Sequence, residues 1–136
     1  MNFKSTGLLS YSPKTHLSSS DRWLIMTADD EICKYYAMLF RREFPWLAKL
    51  ARPVWGAHIS VIRGEVVPNA NLWGKGDKIK LDFEWEPGVI NNGEYYWLKV
   101  KCDALLDIRE AYGLKREPRF GLHLTIGRTT DEQTKR

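Results

Sequence analysis

His58-Ile59-Ser60-Val61 and His123-Leu124-Thr125-Ile126 repeat one pattern: a histidine, an apolar residue, a small hydroxyl and another apolar residue. On a strand, side chains at i and i+2 share a face. In both strings the imidazole and hydroxyl then point one way and the aliphatic pair points the other. With the two strands side by side, two imidazoles confront each other across a space the size of a phosphodiester. In-line displacement at phosphorus needs a proton taken from the attacking oxygen and one given to the leaving oxygen, on opposite sides of the phosphorus. Imidazole does either near neutrality, its ordinary pKa being about 6.5, and each such group is typically worth about 10²–10⁴ in rate. Ser60 and Thr125 can donate hydrogen bonds to the non-bridging oxygens, whose charge grows in the transition state. This chemistry asks for no metal and no cofactor. Asp29-Asp30 suits a helix start better than a ligand pair, and no histidine–cysteine cluster is spaced for a metal.

One H-x-[ST] string is common by chance and reads as a strand histidine with its hydrogen bonds satisfied. Two copies, both in apolar context and both followed five residues after the histidine by an arginine (Arg63, Arg128), favour the paired reading.

The elements that must position these strings follow from periodicity and turn chemistry. Residues 1–20 hold a short apolar patch, Gly7 to Tyr11, then a polar loop ending in a serine run. Arg22 to Thr27 reads as a strand. Asp29-Asp30-Glu31 is an acidic helix start, and Ile32, Tyr35, Tyr36, Leu39 and Phe40 recur at helical spacing. Pro45 breaks that helix, Trp46 to Leu50 adds a turn or two, and Trp55 to Arg63 is the first motif strand. A Gly-, Pro- and Asn-rich loop runs from Gly64 to Gly76. Lys78 to Trp85 alternates, with Ile79, Leu81, Phe83 and Trp85 on one face. Asn91-Asn92-Gly93 turns into a strand from Glu94 to Cys102, an antiparallel hairpin. Asp103 caps a helix carrying Leu105, Leu106, Ile108 and Tyr112, closed by Gly113. Arg119 to Arg128 is the second motif strand, and 129–136 is a polar tail. The order strand–helix–motif strand, then strand–strand–helix–motif strand, suggests two related α+β lobes in one domain.

The chain of 136 residues is long enough for one buried core, and its 43% hydrophobic content argues against disorder. A net charge of +4 suits an anionic ligand, but no basic run suggests a long duplex footprint. Six Trp, six Tyr and five Phe supply surfaces on which bases and sugars stack. Cys33 and Cys102 lack a CxxC partner and read as buried thiols of a reducing compartment. No stretch reads as a membrane span or signal peptide, so a cytoplasmic monomer is expected.

The paired H-φ-[ST]-φ strings resemble the signatures of the two-histidine (2H) phosphoesterase superfamily. Within it, small size and the stretch Trp55 to Glu65 look most like the phage anti-CBASS nucleases, which degrade cyclic di- and trinucleotide immune signals. The resemblance covers nearly the whole chain in element order and is specific at the two motifs. It implies an α+β, bilobal fold with two antiparallel sheet/helix lobes around a central cleft. It also implies a hydrolase in which His58 and His123 are the acid/base pair, while Ser60 and Thr125 hold the phosphate. The substrate's ribose 2′-OH would attack its adjacent 3′–5′ phosphodiester, in the host cytoplasm if the chain is phage-encoded. Because such enzymes stack bases on aromatic rings, Tyr11 and Trp85 are the candidates for substrate binding, core packing beside Phe83 being an equal reading for Trp85. Some relatives close the cleft with a longer C-terminal segment than this chain has after Arg128. Closure would then fall to residues 1–20 as a lid, or to the Gly64–Gly76 loop, or be absent.

Other residues weigh less. His16 sits in a Ser/Thr-rich loop and reads as solvated. Arg63 and Arg128 fall on the opposite strand face from the histidines unless the strands bend, which makes solvated strand ends their default. Arg119 and Lys99 are candidates for the field at the cleft, whereas Glu43, Glu65 and Glu86 have no catalytic spacing. Two alternatives stand beside the cyclic-oligonucleotide reading: an RNA-end enzyme opening 2′,3′-cyclic phosphates, and a nucleotide-binding sponge without turnover.

Overall fold

A computed structural model describes residues 2–12, 22–43, 50–53 and 56–129. The elements are β1 (Phe3–Ser12), β2 (Arg22–Thr27), α1 (Asp30–Glu43), β3 (Leu50–Ala51), β4 (His58–Glu65), β5 (Lys80–Asn91), β6 (Tyr95–Lys101), α2 (Asp103–Ala111) and β7 (His123–Thr129). The sheet runs β7-β4-β2-β1-β5-β6 and closes through β6–β7, a six-strand antiparallel barrel of mixed α+β class. Short β3 pairs with the far end of β7.

Each strand turns one row of side chains to the core. In β2, Leu24 and Met26 are fully buried while Trp23, Ile25 and Thr27 are half-buried, an alternation that the apolar run RWLIMT conceals. Leu98 on β6 faces Leu124 on β7, both fully buried. Each such leucine contributes about 1.5–3 kcal/mol through burial.

Helix α1 begins where the Asp29 carboxylate accepts the Glu31 N–H at 2.9 Å, with Arg41 and Arg42 in its last turn complementing the helix dipole. Its buried face reaches β7, where the Cys33 thiol donates to the Thr125 carbonyl at 3.4 Å, and β5, where the Trp85 indole N–H donates to the Tyr36 hydroxyl at 3.2 Å. Helix α2 starts one residue after its N-cap, Cys102, rather than being capped by Asp103. It ends at Ala111, and Gly113, just past the Tyr112 cap, has a positive φ of 82° and donates its N–H to the Glu110 carbonyl at 2.9 Å. The buried Arg109 on α2 donates to the Val61 carbonyl of β4 at 2.8 Å and pairs with Glu65 at 2.8 Å. The Tyr112 hydroxyl and that of Tyr11 on β1 share a hydrogen bond of 3.0 Å. The two helices thus divide the apolar face, α1 against β5 and β7, α2 against β1 and β4.

Three sequence expectations change. Phe3–Ser12 is a strand flanked by β2 and β5, so this part of the expected lid is fixed by two ladders; residues 13–20 lie outside the described residues. Leu50 is in a strand, not a helical turn, because it pairs with Thr129; residues 44–49 are likewise outside the description. The segment after β4 packs on the α2 side: Asn69 N–H donates to the Tyr112 carbonyl at 3.0 Å, Tyr112 OH to the Leu72 carbonyl at 3.1 Å, and Trp73 is buried. It therefore contributes to the core of that side instead of covering the motif strands.

Candidate active site

Strands β4 and β7 run antiparallel and meet at Ile59↔Leu124, both fully buried. An antiparallel register carries His58 opposite Thr125 and Ser60 opposite His123, on the face away from that pair. All four are half-buried. The result is a square with a histidine and a hydroxyl on each strand and like groups on the diagonals. Directly opposed Cβ atoms in such a ladder lie about 4.5–5.5 Å apart and diagonal ones about 7–8 Å. A tetrahedral phosphate fits between imidazoles so placed, with both hydroxyls beside it.

The imidazoles are oriented by one device used twice. His58 Nδ1 lies 2.8 Å from the Gly56 carbonyl oxygen, and His123 Nδ1 lies 3.0 Å from that of Gly121. A carbonyl only accepts, so Nδ1 carries the proton in both rings and Nε2 is the atom that exchanges protons. Both glycines adopt positive φ, 74° at Gly56 and 70° at Gly121, a backbone that L-residues with a Cβ rarely take. The motif is therefore Gly-x-His-φ-[ST]-φ, and the glycines were visible in the sequence as a shared extension of both strings.

The two copies are braced differently. The Ala57 N–H donates to Asp30 Oδ1 at 2.7 Å, and the Ala57 carbonyl accepts from Ala28 N–H at 2.9 Å. Asp30, expected only as part of a helix start, thus ties the first turn of α1 to the His58 loop, while Asp29 does the capping. A Cβ on Gly56 would sit 2.9 Å from Asp30 Oδ1, whereas one on Gly121 meets nothing within 4 Å.

Cross-strand rows extend the square. One row runs Thr27, His58, Thr125, Trp97; the next runs Ile25, Ser60, His123, Lys99. The Trp97 ring lies 6.4 Å from the His123 ring at 64°. Lys99 is exposed and reaches Glu86 at 3.9 Å, a loose surface pair of little energetic weight. Trp97 was missed in the sequence, although Tyr95, Trp97, Lys99 and Lys101 alternate there with Leu98 and Val100.

Tyr11 and Trp85 belong to the opposite, apolar face. Tyr11 is 3% exposed, edge-on to Trp73, and burial together with the Tyr112 hydrogen bond raises its pKa. Trp85 is buried against Phe83 and Phe3. Tyr11 was expected at the substrate and Trp85 either there or in the core; the structure gives both to the core, because each lies in register with inward-facing neighbours.

Both motif strands bulge just beyond the hydroxyl. Ser60 pairs with Ile25 and Ile62 with Leu24, so Val61 is the extra residue; Thr125 pairs with Trp97 and Gly127 with Tyr96, so Ile126 is. Each bulge shifts the alternation by one, and bulges beside active sites commonly re-aim a side chain in this way. Arg63, opposite Trp23, and Arg128, opposite Tyr95, consequently share the histidine face, contrary to the expectation for regular strands. Both are exposed, and neither forms an ion pair among the described residues.

The remaining expectations place as follows. His16 lies outside the described residues. Arg119 stacks on the 72%-exposed Phe120 at 5.2 Å. Glu43 is exposed at the end of α1. Burial pushes the Cys33 thiol up to about 11 and raises that of Cys102, so both are inert protonated thiols. A cavity of about 300 Å³ lined by Leu9, Tyr11, Ile79, Leu81, Ile108 and Tyr112 lies on the apolar side and includes neither histidine. Among the described residues no helix is long and apolar enough to cross a membrane, and no cluster of His, Cys, Asp or Glu is grouped as a metal site. No family model, curated protein or solved structure matches the chain. What the register defines is an arrangement: two imidazoles, each with Nδ1 held by a glycine carbonyl, and two hydroxyls on one face of neighbouring strands.

Proposed function

We propose that this chain is a metal-independent phosphodiesterase of the 2H type, acting on 3′–5′ bonds of ribo-oligonucleotides, with cyclic di- and trinucleotide signals as the expected substrates. The observation that carries the reading is the square His58/Thr125/Ser60/His123 with both Nδ1 atoms engaged by glycine carbonyls. The two-lobe organisation of that superfamily would set one seam at β4–β7, where a single registered pair, Ile59↔Leu124, contrasts with six in β2–β4, while β1 and β5 join the halves through six pairs on the other side.

In the proposed reaction one imidazole, neutral, takes the proton of the ribose 2′-OH through Nε2 as that oxygen bonds to phosphorus. The P–O5′ bond breaks, and the second imidazole, protonated, gives its Nε2 proton to the departing oxygen. Ser60 and Thr125 donate to the non-bridging oxygens as their charge grows. The product ends in a 2′,3′-cyclic phosphate and a free 5′-hydroxyl. The histidines are left with exchanged protonation states, which suits opening of the cyclic phosphate by water. The Trp97 ring beside His123 replaces Tyr11 and Trp85 as the nearest stacking surface for a base.

The test is chromatography of cyclic di- and trinucleotides, a linear ribo-oligonucleotide and a 2′,3′-cyclic mononucleotide after incubation with protein in EDTA. Cleavage to cyclic-phosphate-ended products, abolished in His58→Ala and His123→Ala, is expected. Intact recovery of every substrate would leave a binding protein, and opening of the 2′,3′-cyclic mononucleotide alone would leave an RNA-end enzyme.

A further inference from the structure

We infer that Arg63 and Arg128 are anion-binding arms at the two ends of the histidine groove, so that the substrate carries a phosphate on each side of the one between the histidines. The inference rests on the proposed phosphodiester site and narrows its substrate to oligonucleotides with at least three phosphates, a cyclic trinucleotide or a linear strand.

Three observations converge. Each arginine follows its histidine by five residues, and each is brought to the histidine face by a one-residue bulge, at Val61 and at Ile126. Because β4 and β7 are antiparallel, the two arms leave the square in opposite directions. Arg63 lies beyond the Ser60–His123 side and Arg128 beyond the Thr125–His58 side. On the partner strands, Trp23 is two residues past Ile25, and Tyr95 two residues past Trp97, which sets each arm's row about 7 Å beyond the square. A guanidinium on a long side chain spans that interval to meet the adjacent phosphate of an extended backbone, bidentately where geometry allows.

Each arm also has an aromatic partner directly opposite, Trp23 for Arg63 and Tyr95 for Arg128. An arginine beside an aromatic ring is the pair that grips a nucleotide, its phosphate by charge and its base by stacking. Gly64, at φ 61°, leaves room for the Trp23 ring, which a Cβ there would approach to 3.1 Å. The nearest carboxylate in sequence, Glu65, is committed to Arg109, leaving the Arg63 guanidinium unneutralised by it. A cyclic dinucleotide has its second phosphate across the ring from the scissile one, so it engages at most one arm. A cyclic trinucleotide or linear strand presents a phosphate on both sides.

Binding, measured without turnover, tests this. A linear 2′-O-methyl tetranucleotide has three phosphodiesters and no attacking hydroxyl; a 2′-O-methyl dinucleotide has one. Binding to wild-type protein and to Arg63→Ala, Arg128→Ala and the corresponding lysine variants is titrated over a range of salt. Each single-strand phosphate contact contributes about −0.7 to the slope of log affinity against log salt, so the wild-type slope for the tetranucleotide should be near −2. Each alanine variant should lose about 0.7 of that slope, each lysine variant should keep it, and the dinucleotide should be indifferent to all four. Equal slopes for wild type and alanine variants, or the same loss on the dinucleotide, overturns the inference. Competition by a 2′-O-methyl cyclic trinucleotide against the linear probe identifies which source of flanking phosphates binds more tightly. Since no cleavage is read, an inactive protein that still shows the two-arm salt dependence would sink the phosphodiesterase reading and spare this one.

Discussion

The β4 and β7 halves of the groove are built from the same backbone device and held by different means. Each has a positive-φ glycine whose carbonyl fixes an imidazole, a hydroxyl two residues on, and a bulge that turns an arginine to the same face. The β4 copy is clamped: Asp30 grips Ala57 N–H, Ala28 grips its carbonyl, and Arg109 of α2 holds Val61 and Glu65. The β7 copy is held mainly by main-chain bonds: Gly121 N–H to the Pro118 carbonyl at 3.0 Å, Val100 N–H to the Leu122 carbonyl at 3.1 Å and Thr129 N–H to the Glu94 carbonyl at 2.9 Å, with the Cys33 thiol on the Thr125 carbonyl. Equal chemistry is held by different contacts, a carboxylate and an ion pair at β4, main-chain bonds and a thiol at β7, so the two halves differ in which substitution reaches the imidazole. Placement errors of about 1 Å can cost about 100-fold in rate, so this asymmetry has consequences that mutation can read.

The largest effects should be symmetric. His58→Ala and His123→Ala should each lower turnover about 10²–10⁴-fold, with the double variant little worse than either single one, because the two act as a unit. Additive losses would mean that the imidazoles do not serve one displacement. Ser60→Ala and Thr125→Val should follow, at about 10²-fold each in kcat with KM nearly unchanged, as expected for donors that matter most once charge has developed. A change confined to KM would demote them to ground-state contacts.

Asymmetry enters at the next level. Asp30→Ala should lower kcat about 10- to 100-fold and leave His58 Nδ1 sampling both tautomers in nitrogen-15 spectra, while the His123 signal stays put. Asp30→Asn keeps an acceptor for Ala57 N–H and should restore most of both. Gly56→Ala should be worse than Gly121→Ala: both suffer the positive-φ penalty of about 1–2 kcal/mol, but only the first also meets Asp30. Equal losses at the two glycines would remove the distinction between a half braced by a carboxylate and one braced by main-chain bonds.

What could be read from the sequence divides along physical lines. The motif strands, their shared face, both helices and the hairpin follow from period and turn residues, which act locally. The choice of Tyr11 as a ligand contact failed, and that of Trp85 between ligand and core stayed open, for a non-local reason. An aromatic residue in an alternating strand goes to whichever face its cross-strand neighbours bury, and the register of β1 against β2 and β5 is set by pairs far apart in sequence. The bulges at Val61 and Ile126 were equally hidden: the residue added to one strand is defined only against its partner. Arg63 and Arg128 therefore had the right spacing in the sequence and the wrong face. The Gly-x-His extension, by contrast, was local and legible; the shared glycines are the signal that an imidazole there is held by its own loop.

The smallest predicted effect separates the two helix clamps by pH. Burial alone would raise the Glu65 carboxyl, but the Arg109 guanidinium and the Arg63 N–H outweigh it and hold it below the usual carboxylate range. A depressed folded pKa contributes stability that is present above the unfolded value of about 4.3 and is lost as pH falls through the folded value. Glu65→Gln should therefore cost about 1 kcal/mol at pH 7, discounted for the partial exposure of this carboxylate, and the gap from wild type should close as the pH is lowered beneath the carboxylate range. The α1 clamp on β7 carries no such charge: its Cys33 thiol, pushed up to about 11, stays protonated throughout, so Cys33→Ala should destabilise by an amount that does not vary from pH 3 to pH 7. Urea midpoints for the two variants across that range decide the matter. A pH-independent loss in Glu65→Gln would show that Arg109 is satisfied by the Val61 and Lys115 carbonyls alone, and that the clamp on β4 is a backbone contact instead of an ion pair.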